Sequence, residues 1–294
     1  MKCSISAGLN YARIMNDKIC LVTGANSGIG KVTAKALAAG GATVIMVCRN
    51  RDKGQAARDG IVRETRNENV DLMIADFSDL SQIRKLAADV NAKYPRLHTL
   101  VNNAGAYNGK RTLTRDGYET TFGVNHLGYF LLTVELLDLL KSSAPARIVN
   151  VASEAHRSAS VNFDDLNLEN GYSGWKAYGQ SKLANVLFTY ELARRLEGSR
   201  VTANCMHPGF VGTNIFDNVG GLGGKIVRLL TPFMRTPEKG ADTIIWLASS
   251  PEVEGVTGKY FIDRIAKESN PQSYDTAIAA RLWEVSERMV RAAS

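Results

Sequence analysis

Tyr178 and Lys182 stand four residues apart in a stretch with a helical pattern, so they share one face. A phenol with an ordinary pKa of about 10 is a poor base at neutral pH. A neighbouring ammonium favours the phenolate and predicts a lowered pKa for Tyr178. The pair therefore reads as a general acid/base with its electrostatic partner. Ser153 follows the apolar run Arg147–Ala152. At the carboxyl end of a strand its hydroxyl can hydrogen-bond a substrate oxygen while Tyr178 moves the proton. Asn125, near the start of the stretch Val124–Lys141, can hold a water linking Lys182 to solvent. His156, close to Ser153, is a candidate for lining the substrate cleft. The expected catalytic set is Asn125, Ser153, Tyr178 and Lys182, and the expected substrate contacts are Ser153, His156 and Tyr178.

A second group of residues can hold phosphates. The apolar run Ile19–Val22 leads into Thr23-Gly24-Ala25-Asn26-Ser27-Gly28-Ile29-Gly30, and a helical pattern follows. Gly24 suits a tight turn, Gly28 lets backbone N–H groups approach a pyrophosphate, and Gly30 permits close packing of helix on sheet. The helix start then offers unpaired donors and a positive dipole end, with Asn26, Ser27 and Ile29 beside the ligand. The next apolar run ends at Cys48-Arg49-Asn50, where an acidic residue would select NAD(H). Arg49 instead matches a 2′-phosphate, which favours NADP(H). Asp76, with Phe77 beside it, is placed to meet the adenine, and Asn103-Ala104-Gly105 closes a further strand at the ligand edge.

These residues need a frame. Seven short runs read as strands: Ile19–Val22, Thr43–Val47, Val70–Ile74, Thr99–Asn102, Arg147–Ala152, Val201–Met206 and Lys259–Ile262. Helical patterns alternate with them at Ile29–Ala39, Asp52–Thr65, Leu80–Lys93, Val124–Lys141, Trp175–Leu196 and Glu238–Leu247, and a last one spans Tyr274–Val290. This alternation predicts an α/β fold, a single-domain, doubly wound parallel seven-stranded sheet of the Rossmann type. Its expected extent is 18–264, with an extension at 1–17 and a helical tail at 265–294. A glycine-bearing, then apolar segment at about 211–237 reads as a lid over a greasy substrate or, equally, as a surface excursion packed on the domain.

Composition narrows the class. Hydrophobic residues make up 45% and charged residues 22% of the 294, which excludes a disordered or fibrous chain. The +7 charge comes from 36 Lys+Arg against 29 Asp+Glu interspersed along the chain, so no nucleic-acid stripe is expected. The four cysteines have neither disulfide-framework nor zinc spacing, and no metal is expected. No run approaches a membrane span, and 1–17 lacks the apolar core of a signal peptide. The expectation is a cytoplasmic protein.

Taken in order and spacing, Gly24/Gly28/Gly30, Asn102-Asn103-Ala104-Gly105, Asn125, Ser153, Tyr178 and Lys182 resemble the short-chain dehydrogenase/reductase family over about residues 18–262. The phrases TGANSGIGK (23–31), GVNHLGYFLLT (123–133), RIVNVASEAH (147–156), AYGQSKLANVLFTYELARRL (177–196) and MHPGFVGT (206–213) are similar to its retinol dehydrogenase-like branch. The resemblance implies an NADP(H)-dependent oxidoreductase acting on lipophilic alcohols, aldehydes or ketones. It implies that Lys182 holds the nicotinamide ribose and that Pro208, Gly209, Val211 and Thr213 lie along the nicotinamide. It also implies a homodimer or homotetramer built on the apolar helices Val124–Lys141 and Trp175–Leu196. A non-catalytic dinucleotide sensor would be expected to lose Tyr178 or Lys182. A protochlorophyllide reductase-like enzyme shares the Tyr/Lys spacing but carries a cysteine-rich pocket that is not evident here.

Overall fold

The computed structural model describes residues 15–211 and 235–293. Seven parallel strands, β1 (Ile19–Thr23), β2 (Thr43–Cys48), β3 (Val70–Ile74), β4 (Thr99–Asn102), β5 (Ala146–Val151), β6 (Val201–His207) and β7 (Tyr260–Ile262), and a short antiparallel β8 (Ile265–Lys267) form its sheet. The spatial order is β3-β2-β1-β4-β5-β6-β7-β8. Most of these strands are near-continuous apolar runs because helices cover both faces of the sheet. The order reverses between β1 and β4, the kind of switch point at whose carboxyl ends ligands bind in open α/β sheets.

The helices are α1 (Gly28–Ala39), α2 (Arg51–Thr65), α3 (Leu80–Lys93), α4 (Thr120–Phe122), α5 (Gly128–Glu135), α6 (Leu137–Ser142), α7 (Gly174–Arg195), α8 (Pro237–Ser249) and α9 (Thr276–Ala292). Successive strand residues feed opposite layers. Cys20 and Val22 meet Leu37, Ile61 and Ile244 of α1, α2 and α8. Leu21 faces the other way, into the layer of Ile83, Phe130, Leu187 and Leu282 from α3, α5, α7 and α9.

Two expectations need correction. The sheet has eight strands, because β8 (Ile265–Lys267) pairs antiparallel with β7. Its three residues are all exposed, so it carries no apolar pattern. The two-residue turn before it, Asp263-Arg264, has positive φ at both positions (51° and 63°) without the usual Asn or Gly signal. The helix expected at Val124–Lys141 is interrupted. A π-helical turn at Gly123–Leu127 precedes α5, and Leu136, at φ −100° and ψ 2°, separates α5 from α6. Nearly every residue from 121 to 133 is buried, so the periodicity gave no warning of either break.

Cys20, Cys48 and Cys205 are buried free thiols, and burial raises Cys20 and Cys205 to about 12.

Candidate active site

At the end of β1 the chain enters a turn in which Gly24 and Gly28 have φ of 67° and 51°. A Cβ at Gly30 would lie 2.3 Å from the Gly24 carbonyl oxygen, so this position admits no side chain. Ser27, the first residue before α1, makes no capping hydrogen bond, which leaves the helix-start donors open to an anion. The turn is pinned from β4. Asn103 Nδ2 donates to the Thr23 carbonyl at 2.8 Å, and Thr23 Oγ1 accepts from the Asn103 and Ala104 amides at 2.8 and 2.9 Å. Asn103 thus supports the turn with its side chain. Thr23 is a site residue the sequence reading missed, and the signal was a hydroxyl ending an apolar strand.

Arg49 lies just past β2 with its side chain 77% exposed, 4.0 Å from Asp76 Oδ2. Asp76 Oδ1 accepts from the amide and hydroxyl of Ser78. Asn50 caps α2 by accepting from the Lys53 amide at 2.9 Å, and Phe77 is buried against Gly128. Gly105 lies past Ala104 in the loop after β4.

Tyr178 and Lys182 stand at the same edge. Lys182 and Tyr178, one turn apart on α7, are 2% and 7% exposed. Lys182 Nζ donates to the Val151 carbonyl at 3.0 Å. It also lies 5.5 Å from the Tyr178 ring centroid and 5.9 Å from that of Tyr129, whose buried hydroxyl has no hydrogen-bond partner among the described residues. Tyr178 is hydrogen-bonded to Ser153, which favours its phenolate.

Burial nevertheless pushes Tyr178 up to about 12, the reverse of the expected direction, and pushes Lys182 down to about 7. Desolvation disfavours either charge and outweighs the help of the neighbour. The phenol therefore keeps its proton at neutral pH.

Asn125 lies in the π-helical turn, fully buried. Its Oδ1 accepts from the Ala106 amide at 2.7 Å, and its Nδ2 donates to the Ala106 carbonyl and to Ser181 Oγ, each at 3.0 Å. Ser181 in turn donates to the Tyr178 carbonyl. The amide thus clamps the loop after β4 to the turn that carries Tyr178.

His156 differs from the expectation. It is fully buried behind Ser153, with Nδ1 2.6 Å from the Ser153 carbonyl and its ring on Tyr260 at 4.7 Å, so it supports the serine loop rather than lining an open cleft. Gly209, after Pro208, has φ 82° and packs under Arg235, which is paired with Asp263. Val211 is buried and bridges to Arg235. Thr213 and most of the expected lid lie outside the described residues.

A cavity of about 420 Å³ lies at the opposite, amino-terminal edge of the sheet, away from these residues. Arg147 there donates to the Leu247 and Ser250 carbonyls at the end of α8. Among the described residues no metal-ligand cluster occurs, and no helix is long and apolar enough to cross a membrane.

The strand order, with an open glycine turn at its switch point, defines a dinucleotide-binding α/β fold. The short chain dehydrogenase family model matches residues 18–221, and the chain belongs to that family. Within it the chain is retinol dehydrogenase-like. It is 45% identical to retinol dehydrogenase 14 of Homo sapiens over 298 residues, covering 94% of this chain and 87% of that protein. It is also 45% identical to retinol dehydrogenase 12 of Homo sapiens over 269 residues, covering 92% and 85%. Among solved structures, an uncharacterized protein from Mycobacterium paratuberculosis is similar at TM-score 0.77 and 35% identity, covering 94% of each chain. A short chain dehydrogenase from Escherichia coli CFT073 complexed with NADPH is similar at TM-score 0.69 and 26% identity, covering 86% of this chain and 99% of that one.

Proposed function

We propose that this oxidoreductase is an NADP(H)-dependent carbonyl reductase or alcohol dehydrogenase that interconverts lipophilic alcohols with aldehydes or ketones. The observation that carries the reading is the cluster of buried Tyr178 and Lys182 with half-buried Ser153 at the carboxyl edge of a sheet whose glycine turn leaves its helix donors uncapped. The turn fits a pyrophosphate, since Gly24, Gly28 and Gly30 keep Cβ atoms out of its concave side. Arg49, exposed at the end of β2, supports a 2′-phosphate and hence NADP(H). Asn50, Asp76, Phe77, Asn103, Ala104, Gly105, Pro208, Gly209 and Val211 would complete the walls, with Thr213 beyond the described residues.

A nicotinamide cofactor, when bound, would supply or accept the hydride. The chain does the rest. In the reducing direction Ser153 donates a hydrogen bond to the carbonyl oxygen, and Tyr178, holding its proton at neutral pH, passes that proton to the same oxygen as the alcohol forms. Lys182, held by the Val151 carbonyl near the Tyr178 ring, offsets the phenolate that remains and would be the residue to hold the cofactor's ribose. Asn125 fixes the loop and helix that carry these groups.

The buried free thiols support a cytoplasmic protein, and the family resemblance supports a homodimer or homotetramer. Light scattering at micromolar concentration tests the latter, and a monomeric mass refutes it. The function is tested by following NADPH oxidation over retinal, steroid ketones, aliphatic aldehydes and aryl ketones, repeated with NADH. Turnover of at least one lipophilic carbonyl, faster with NADPH, is expected. Tight NADPH binding with no turnover across the panel would favour a dinucleotide sensor instead.

A further inference from the structure

His126 stands beside Asn125 in the π-helical turn and has no part in the chemistry above. We infer that His126 is a positioning residue: its buried hydrogen bond to Ser286 of α9 holds the π-helical turn in the shape that presents Asn125 to Ala106. The inference rests on the role proposed for Asn125.

A π-helical turn is a rare insertion in an α-helix and needs partners to persist. Here it is closed by the Gly128 amide donating to the Gly123 carbonyl, and α-helix flanks it on both sides. Its two polar side chains reach different neighbours. Asn125 bonds Ala106 and Ser181 on the cleft side. His126 Nε2 lies 2.8 Å from Ser286 Oγ. Both side chains, and Ser286, are fully buried.

The His126 ring has little freedom to seek another partner. Phe122, Phe188 and Phe130 surround it at centroid distances of 5.0, 6.1 and 6.3 Å. The Asn185 amide lies beside the ring and favours its charged form, but among the described residues neither that amide nor His126 Nδ1 makes a hydrogen bond of good geometry. The contact of good geometry is the one from Nε2 to Ser286. Burial keeps the ring neutral, down to about 4, so the contact is a neutral hydrogen bond.

Ser286 is a fixed point independently of His126. Tyr118 Oη donates to the Met289 carbonyl at 2.6 Å, and Arg84 bonds the Val290 carbonyl. Leu282 and Trp283 are buried in the core, and the Trp283 ring lies 5.0 Å from that of Phe130. Removing the Ser286 hydroxyl therefore leaves α9 docked and frees only the π-helical turn.

The test compares Ser286→Ala, His126→Gln and Asn125→Ala in the full chain. The readouts are kcat, NADPH affinity and hydrogen exchange at the Ala106 amide, which donates to Asn125. Ser286→Ala is expected to lower kcat roughly tenfold, as misplacement of a supporting group does, with NADPH affinity within about twofold. Ala106 exchange should accelerate by about tenfold. His126→Gln, whose amide nitrogen can replace Nε2, should keep kcat within about threefold of wild type. Wild-type kcat and unchanged Ala106 exchange in Ser286→Ala would overturn the inference. So would equal losses in Ser286→Ala and His126→Gln with Ala106 protection intact, since that outcome assigns the pair to packing. Full kcat in Asn125→Ala would sink the reading of Asn125 itself, while Ala106 exchange in Ser286→Ala would still report on the clamp.

Discussion

Replacing Lys182 with Met should inactivate the enzyme and, at the same time, stabilise the ligand-free protein. The side chain is 2% exposed, and burial lowers its pKa from 10.5 to about 7. A shift of that size corresponds to about 5 kcal/mol of penalty on the charged form below pH 7. Methionine has similar bulk and no charge to desolvate. Against the gain stands the lost hydrogen bond, which leaves the Val151 carbonyl unsatisfied at about 1–3 kcal/mol. The contact with the Tyr178 and Tyr129 rings adds about 1 kcal/mol to the loss. The net expectation is stabilisation by about 1–3 kcal/mol, or a rise in Tm of roughly 2–8 °C.

The pH dependence makes the test sharper. The native pKa of Lys182 lies below its unfolded value, so the unfolded chain binds more protons between about pH 7 and 10.5. Wild type should therefore gain about 1.4 kcal/mol per pH unit across that window relative to Lys182→Met. Urea denaturation of both proteins at about pH 6, 8 and 9.5 measures the gap. It should be widest at the lowest pH, then close and reverse. A variant less stable than wild type near pH 6, by a margin that does not change with pH, would refute the reasoning.

Three further outcomes are expected. Arg49→Ala should cut the preference for NADPH over NADH by about 10- to 100-fold in kcat/KM, because a charge-assisted contact is lost; an unchanged ratio would remove Arg49 from the cofactor site. Gly30→Ala forces a Cβ to within 2.3 Å of the Gly24 carbonyl, so NADPH titration should show at least about tenfold weaker binding, with about 1–3 kcal/mol of lost stability. Ser153→Ala should lower kcat by about 10²- to 10³-fold with little change in NADPH affinity; a loss confined to KM would make the hydroxyl a binding group only.

Much of this site was legible in the residues. Continuous Val and Ile runs marked the strands because both sheet faces are covered, and the glycine spacing marked the turn because no side chain fits at Gly30. The four-residue spacing of Tyr178 and Lys182 placed them together, yet it said nothing about how deeply they lie. Burial reversed the expected direction for Tyr178. Depth also misled at His156, whose closeness to Ser153 in sequence put it behind the serine instead of in front of it. The π-helical turn was invisible because residues on every side of that helix are apolar or buried. β8 was invisible because an exposed three-residue edge strand has no period to read. The roles of Thr23 and Ser181 are contacts across 80 residues to Asn103 and 56 to Asn125, a kind of information that local spacing does not hold.

The central claim is that the Tyr178 hydroxyl delivers the proton that accompanies hydride transfer. It is tested most directly by mixing Tyr178→Phe, preloaded with NADPH, with a carbonyl substrate that wild type reduces, and following nicotinamide absorbance in a single turnover. The account predicts NADPH affinity within about twofold of wild type and a transfer rate lower by at least about 10³-fold, general acid catalysis and oxygen positioning being lost together. Transfer at a rate near that of wild type would contradict it.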